Sequence, residues 1–214
     1  MLFHPPISVR QRSKQQGFTL IELLVVIAII MILAGITFGI SRGVQNAQAR
    51  AKAKAELAAL SQALEQFKGD YGDYPWVNNQ ALSDAQIQTN GSRLLLALDG
   101  WMDWEYSGGT TPADLKYRPD FDTPKARGKS YLDMKQFSFN DEYTPDKVPT
   151  VLWPLDPWGN PYVYDYIGPN TTSWDNFGYV LYSRGPDGDH VAADSEGIQD
   201  QTDEENLDNI YSGQ

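Results

Sequence analysis

The sequence predicts an α+β protein: one long N-terminal helix, transmembrane in its first half, packed through its second half on a small antiparallel β-sheet, with a long irregular insertion. Three observations predict it. An apolar run fills residues 18–40, a leucine stripe at helical spacing follows it, and the tyrosines and tryptophans lie almost wholly beyond residue 70. A chain of 214 residues suits one membrane segment and one compact domain, because a useful core needs roughly 100–150 residues. A formal net charge of −11 argues against a nucleic-acid partner, which would require a basic face. The absence of cysteine excludes disulfides and thiolate metal sites.

Residues 1–17 read as a leader carrying Arg10, Arg12 and Lys14 and no acid. That bias keeps the leader cytoplasmic and sends the C-terminal part outward. The run FTLIELLVVIAIIMILAGITFGI, residues 18–40, has Glu22 as its one charge and as a helix would reach about 34 Å, enough to span a bilayer core. A secretory signal would place its small-residue cleavage site after the apolar segment. Here Gly17 precedes it, so a cut after Gly17 removes the basic leader and leaves the helix on the mature chain.

The string Gly17-Phe18-Thr19-Leu20-Ile21-Glu22 resembles the recognition motif of type IV prepilins and pseudopilins. The resemblance implies a type IV pilin-like fold, cleavage by a prepilin peptidase between Gly17 and Phe18, and N-methylation of Phe18. A carboxylate in an apolar span costs about 2.5–3.5 kcal/mol and so normally has a partner. For Glu22 the resemblance implies the N-terminal amine of a neighbouring subunit, which sets register in a homo-oligomeric helical filament. Gly35, Gly39 and Gly43 recur every four residues, as a close-packing face or as ordinary glycine tolerance in a membrane helix. Many relatives have a helix-breaking proline where Gly39 stands.

Residues 41–68 read as an amphipathic continuation of the helix. Leu57, Leu60, Leu64 and Phe67 line one face, Arg50, Lys52, Lys54, Glu56 and Glu65 take polar positions, and Gly69 supplies a stop. Residues 69–214 form the globular domain. Asp156-Pro-Trp-Gly-Asn-Pro-Tyr162 predicts a tight turn before a strand in VYDYIGP, and Phe177 to Ser183 predicts a second strand. Residues 77–150 read as an insertion of irregular structure with a short helix near Arg93–Leu98. Its Trp101, Trp104 and Tyr106 belong either to satellite core or to a sugar-binding or partner-binding aromatic patch.

Tyr74-Pro75, Asp156 to Tyr162 and Ser183-x-Gly-x-Asp-Gly188 are together similar to the major pseudopilins of type II secretion, over residues 14–76 and 152–214. That resemblance implies a bacterial inner-membrane protein, single-pass, with its C-terminal domain in the periplasm. It implies minor pseudopilins and an ATPase-driven inner-membrane platform as partners, and a pseudopilus that drives protein export. A type IV pilus subunit serving adhesion, motility or DNA uptake is the alternative. The loop 183–214 holds six aspartates and three glutamates against one arginine. Such hard oxygen ligands suit calcium, although the spacing fails the EF-hand template, and a solvated acidic tail is the other reading. The family implies one calcium ion held near Ser183, by Asp187 and by Asp208 or Asn209, with Asp189 and Asp194 as weaker candidates.

No enzymatic constellation stands out. His190 would serve any triad alone outside the leader, and Ser183 lacks the first glycine of a nucleophile elbow. The expected role is structural.

Overall fold

The computed structural model describes residues 17–77, 80–106, 112–117, 127–145, 147–149, 151–167, 174 and 178–213, without the side chains of 36–42, 103–106 and 112–117. The chain divides into two compact units, Met1–Gln45 and Asn46–Gln214. Helix α1, Leu20–Tyr71, contributes to both.

In the first unit the large apolar side chains from Phe18 to Leu33 are exposed, Phe18 at 87% and Ile32 at 63%. A contiguous apolar surface of that size marks a membrane or partner contact. Among the described residues no helix is long and apolar enough to cross a membrane. The apolar stretch whose side chains are described, 20–35, would reach about 24 Å, short of a hydrocarbon core of about 30 Å. The remainder of the expected span, with Gly39, lies outside the described side chains. Gly35 and Gly43 face open space.

In the second unit α1 buries Ala53, Leu57, Leu60, Ala63, Leu64 and Phe67. Each fully buried leucine contributes about 1.5–3 kcal/mol, so this stripe anchors the domain core. The helix passes through Gly69 and ends at Tyr71, followed by Gly72 at φ +88°. The expected stop at Gly69 was therefore three residues early: a glycine inside a helix costs only about 1 kcal/mol, whereas the left-handed exit is what glycine uniquely permits.

The described residues of 77–150 hold more regular structure than their composition suggests. Helix α2, Asp84–Leu98, buries Ile87 and Leu94 to Leu98. Strands β1, Met102–Tyr106, and β2, Pro112–Tyr117, pair antiparallel. Strand β3, Ser138–Phe139, pairs with β4, Pro154–Leu155. Helix α2 starts well before Arg93 despite Asn90-Gly91-Ser92, since a Cβ on Gly91 would stand 3.1 Å from the Trp153 Cβ. Glycine there permits close packing rather than a turn. Trp101 is fully buried in the core. The other two members of the expected aromatic group, Trp104 and Tyr106, have side chains outside the described residues.

The main sheet has the order β5-β6-β7, all antiparallel, with β5 at Val163–Asp165, β6 at Val180–Ser183 and β7 at Ile210–Tyr211. Tyr162, Tyr164, Leu181 and Ile210 share one core with the α1 stripe and with Leu94 to Leu98. Strand β7 ends the acidic segment, so 183–214 is a loop returned to the sheet rather than a free tail.

Candidate functional site

Two groups of residues deserve a chemical reading, one in each unit. At the N-terminus, Gly17, Phe18 and Thr19 precede the first helical residue, all exposed, which leaves the 17–18 peptide bond reachable. Thr19 is the N-cap. Its N–H and its hydroxyl each donate to Glu22 Oε2 at 2.8 Å, while Thr19 Oγ1 accepts from the Glu22 N–H at 3.3 Å. This is a capping box, in which two orphan donors at a helix start are satisfied reciprocally. Glu22 thus has a local role beside the one the sequence assigned it. The Thr-x-x-Glu spacing ahead of an apolar run is the signal that could have shown it.

In the second unit the expected cation-binding residues lie around the turn that leaves β6. Asp187 and Asp208, far apart in sequence, come together: the Asp187 N–H points at Asp208 Oδ2 across 3.5 Å. Gly185, at φ +69°, lets this happen, since a Cβ there would lie 2.6 Å from both the Asp208 carbonyl oxygen and Oδ2. Asp208 Oδ1 is buried and has no hydrogen-bond partner among the described residues. Burial, and then the facing Asp187 carboxylate, push the Asp208 carboxyl above the usual range.

The other expected ligands are disposed differently. The Ser183 hydroxyl donates to Asp156 Oδ2 at 2.6 Å and accepts from the Gly185 N–H at 3.2 Å, so this side chain holds the turn rather than facing Asp187. Asn209 donates to Asn206 Oδ1 at 2.8 Å. Its own Oδ1 is buried without a partner among the described residues. Asp189 donates its N–H to Asp187 Oδ1 at 3.0 Å. Asp194 closes a separate turn, accepting from the N–H groups of Glu196 and Ile198.

Sequence reasoning missed the support beneath this turn. Asp156 Oδ1 accepts from the N–H groups of Trp158 at 3.0 Å and Asn160 at 2.9 Å. Asn160 in turn donates from Nδ2 to the Gly185 carbonyl at 2.9 Å. A carboxylate or amide followed within four residues by glycine in a Pro-rich stretch is the available signal, but it foretells a turn and not what the turn touches.

Among the described residues no group of three or more His, Cys, Asp or Glu side chains is placed to hold a metal ion. Calcium does not demand such a group, because amide and backbone carbonyl oxygens also serve it. The carboxylates of Asp187 and Asp208, the latter with Oδ1 buried and partnerless among the described residues, and the amide oxygen of the adjoining Asn209 are hard acceptors of the kind that ion takes. The residues weighed for catalysis are otherwise engaged: the Ser183 hydroxyl by Asp156, and His190 Nδ1 by the Tyr182 hydroxyl at 2.7 Å.

A family model described as the prokaryotic N-terminal methylation motif matches residues 12–38. No curated protein matches the chain, and no solved structure does. The matched segment takes in Gly17, Phe18 and Glu22 and supports a type IV pilin-like protein. The motif implies processing by a prepilin peptidase, membrane anchoring and assembly into filaments.

Proposed function

We propose that the chain is a structural subunit of a periplasmic pseudopilus that drives protein export by type II secretion, anchored in the bacterial inner membrane before assembly. The observation that carries the filament-subunit part of this reading is the Gly17–Glu22 motif placed at the start of a helix whose apolar side chains are uncovered. Such a surface requires lipid while the subunit waits and neighbouring subunits once it is extracted. The protein catalyses no reaction of its own. A minor-subunit cap and an ATPase-driven platform act on it from the two ends. The motif serves a type IV pilus subunit equally well; the Ser183–Gly188 turn facing Asp208 is what favours the secretion pseudopilus. A host strain lacking the chain should lose export of folded proteins while keeping adhesion and motility, and the converse would assign a pilus.

Glu22 provides the direct test of assembly. Glutamine can still occupy the third position of a capping box, so Glu22→Gln keeps the helix start and removes only the charge. The variant should be cleaved normally yet yield no sheared filament, as read by immunoblot of processed chain against recovered polymer. Filament at the wild-type level would remove the charge-pairing role.

The second part of the proposal is one calcium ion at the turn, held by Asp187, by Asp208 and by oxygens of the adjoining Asn209 and backbone. When bound, the ion would supply only charge neutralisation and a cross-link between the two ends of the loop 183–214. Ligand at about a hundredfold over its Kd adds about 2.7 kcal/mol, or about 5–11 °C for a chain of this size. The full chain in detergent should therefore melt several degrees higher in calcium than in excess chelator, and Asp187→Ala should abolish the difference. Because the Asp208 carboxyl is raised, the calcium response should weaken as pH falls through its titration. An unchanged melting temperature in calcium would leave the acidic loop a purely protein-held structure.

A further inference from the structure

We infer that Asn160 is a positioning residue for the cation-binding turn, setting the distance between Asp187 and Asp208 without touching the ion; this rests on the calcium reading above. The turn 185–188 is gripped from two sides. On one side Gly185 lies against Asp208, where a Cβ would come within 2.6 Å of the carbonyl oxygen and of Oδ2. On the other, Gly188, at φ +77°, lies against the Asn160 side chain, where a Cβ would come within 2.9 Å of Oδ1 and 3.2 Å of Nδ2. Asn160 Nδ2 also donates to the Gly185 carbonyl at 2.9 Å, so one amide group meets both ends of the segment that carries Asp187.

Asn160 is itself fixed. Its N–H donates to Asp156 Oδ1 at 2.9 Å, and its carbonyl accepts from the Asp156 N–H at 2.8 Å. Asp156 accepts the Ser183 hydroxyl, and Ser183 Oγ accepts the Gly185 N–H, which closes a ring through Asp156, Ser183, Gly185 and Asn160. Asp156 and Ser183 are buried, with 2% and 0% of their surface exposed, so water does not compete for these bonds. The ring locates the turn before any ion arrives. That matters because two carboxylates repel each other unless their backbones are held, and an ion site gains affinity from ligands that are already placed. The aromatic-rich turn Asp156–Tyr162 is thus tied to the acidic loop by a hydrogen-bonded clamp, not by ligation.

The test is a calcium titration of the full chain in detergent, followed by melting temperature and tryptophan fluorescence, on wild type, Asn160→Ala, Gly188→Ala and the double variant. Losing an outer partner of an ion's ligands typically costs 10- to 100-fold in affinity. Asn160→Ala should raise the calcium midpoint by that factor while saturating calcium still raises its melting temperature. Gly188→Ala should also raise the midpoint, and by less in the Asn160→Ala background, where the colliding amide is gone; the φ penalty is common to both backgrounds and cancels. A calcium midpoint for Asn160→Ala within twofold of wild type, or full additivity of the two substitutions, overturns the positioning role while leaving calcium binding intact. A wild-type chain indifferent to calcium overturns both.

Discussion

Asp99→Ala is expected to destabilise the globular unit by about 3–5 kcal/mol, the cost of removing one partner of a buried ion pair. Asp99 ends α2 with no exposed surface. Its Oδ1 meets the Arg127 guanidinium and accepts from the Ser130 hydroxyl at 3.2 Å. Its Oδ2 accepts from Trp101 Nε1 at 2.9 Å and from the Tyr143 hydroxyl at 3.0 Å, and its backbone carbonyl accepts from Arg127 Nε at 3.0 Å. Four side-chain donors from three separate stretches of the 77–150 segment thus converge on one carboxylate. Truncation leaves a half-buried cation and several buried donors without an acceptor, which costs more than the net worth of the intact bonds. The penalty corresponds to a fall of about 6–20 °C in melting temperature for a chain of this length. Asp99→Asn should cost less, because one amide oxygen still accepts, and the conservative variant separates lost charge from lost bonding. Urea unfolding gives the number; a loss under about 1 kcal/mol for Asp99→Ala would mean that the segment is held by its apolar contacts alone.

Asp99 also shows why the regular structure among the described residues of 77–150 was illegible. An aspartate followed by glycine after a leucine run reads locally as a helix exit, and nothing nearby says that Arg127, Ser130 and Tyr143 will return to it. Local signals did well where packing repeats along the chain: Leu57, Leu60, Leu64 and Phe67 stand at helical spacing and all are buried. They failed where one contact across the fold decides. Gly91 looks like a breaker until Trp153 is seen above it, and Ile210-Tyr211 is too short to declare itself a strand until Ser183 and Tyr182 pair with it. The site divides in the same way. Gly17, Phe18 and Glu22 form a contiguous string and can be read directly. Asp187 and Asp208 could be nominated by composition and resemblance, but the ring of Asp156, Ser183, Gly185 and Asn160 that locates their turn exists only in three dimensions.

A second buried carboxylate makes stability depend on pH in the opposite sense from an ordinary surface acid. Asp165 on β5 is 1% exposed. Its Oδ1 accepts from the Ala81 N–H and from Asn90 Nδ2, each at 2.9 Å, and its Oδ2 lies 3.0 Å from the same Ala81 nitrogen. Burial raises its carboxyl from the ordinary 3.8 to about 7, against the lowering effect of those donors. The native chain therefore keeps a proton on Asp165 up to about pH 7, whereas the unfolded chain releases it near 3.8. Between those values the native state binds more protons, so stability falls as pH rises from about 4 to about 7 and then levels off. The gap is worth on the order of 4 kcal/mol. Glu56 and Asp156, also raised by burial, act in the same sense. His190, held neutral by burial, acts in the opposite sense as pH falls through its ordinary value. Asp165→Asn isolates the one group, because its amide oxygen can keep both bonds made by Oδ1 and it cannot ionise. Relative to wild type the variant should gain stability from about pH 4 to about pH 7 and hold that gain above it, measured by urea unfolding in matched buffers. Two parallel curves would show that Asp165 ionises within the fold without penalty, its charge offset by the Ala81 and Asn90 donors.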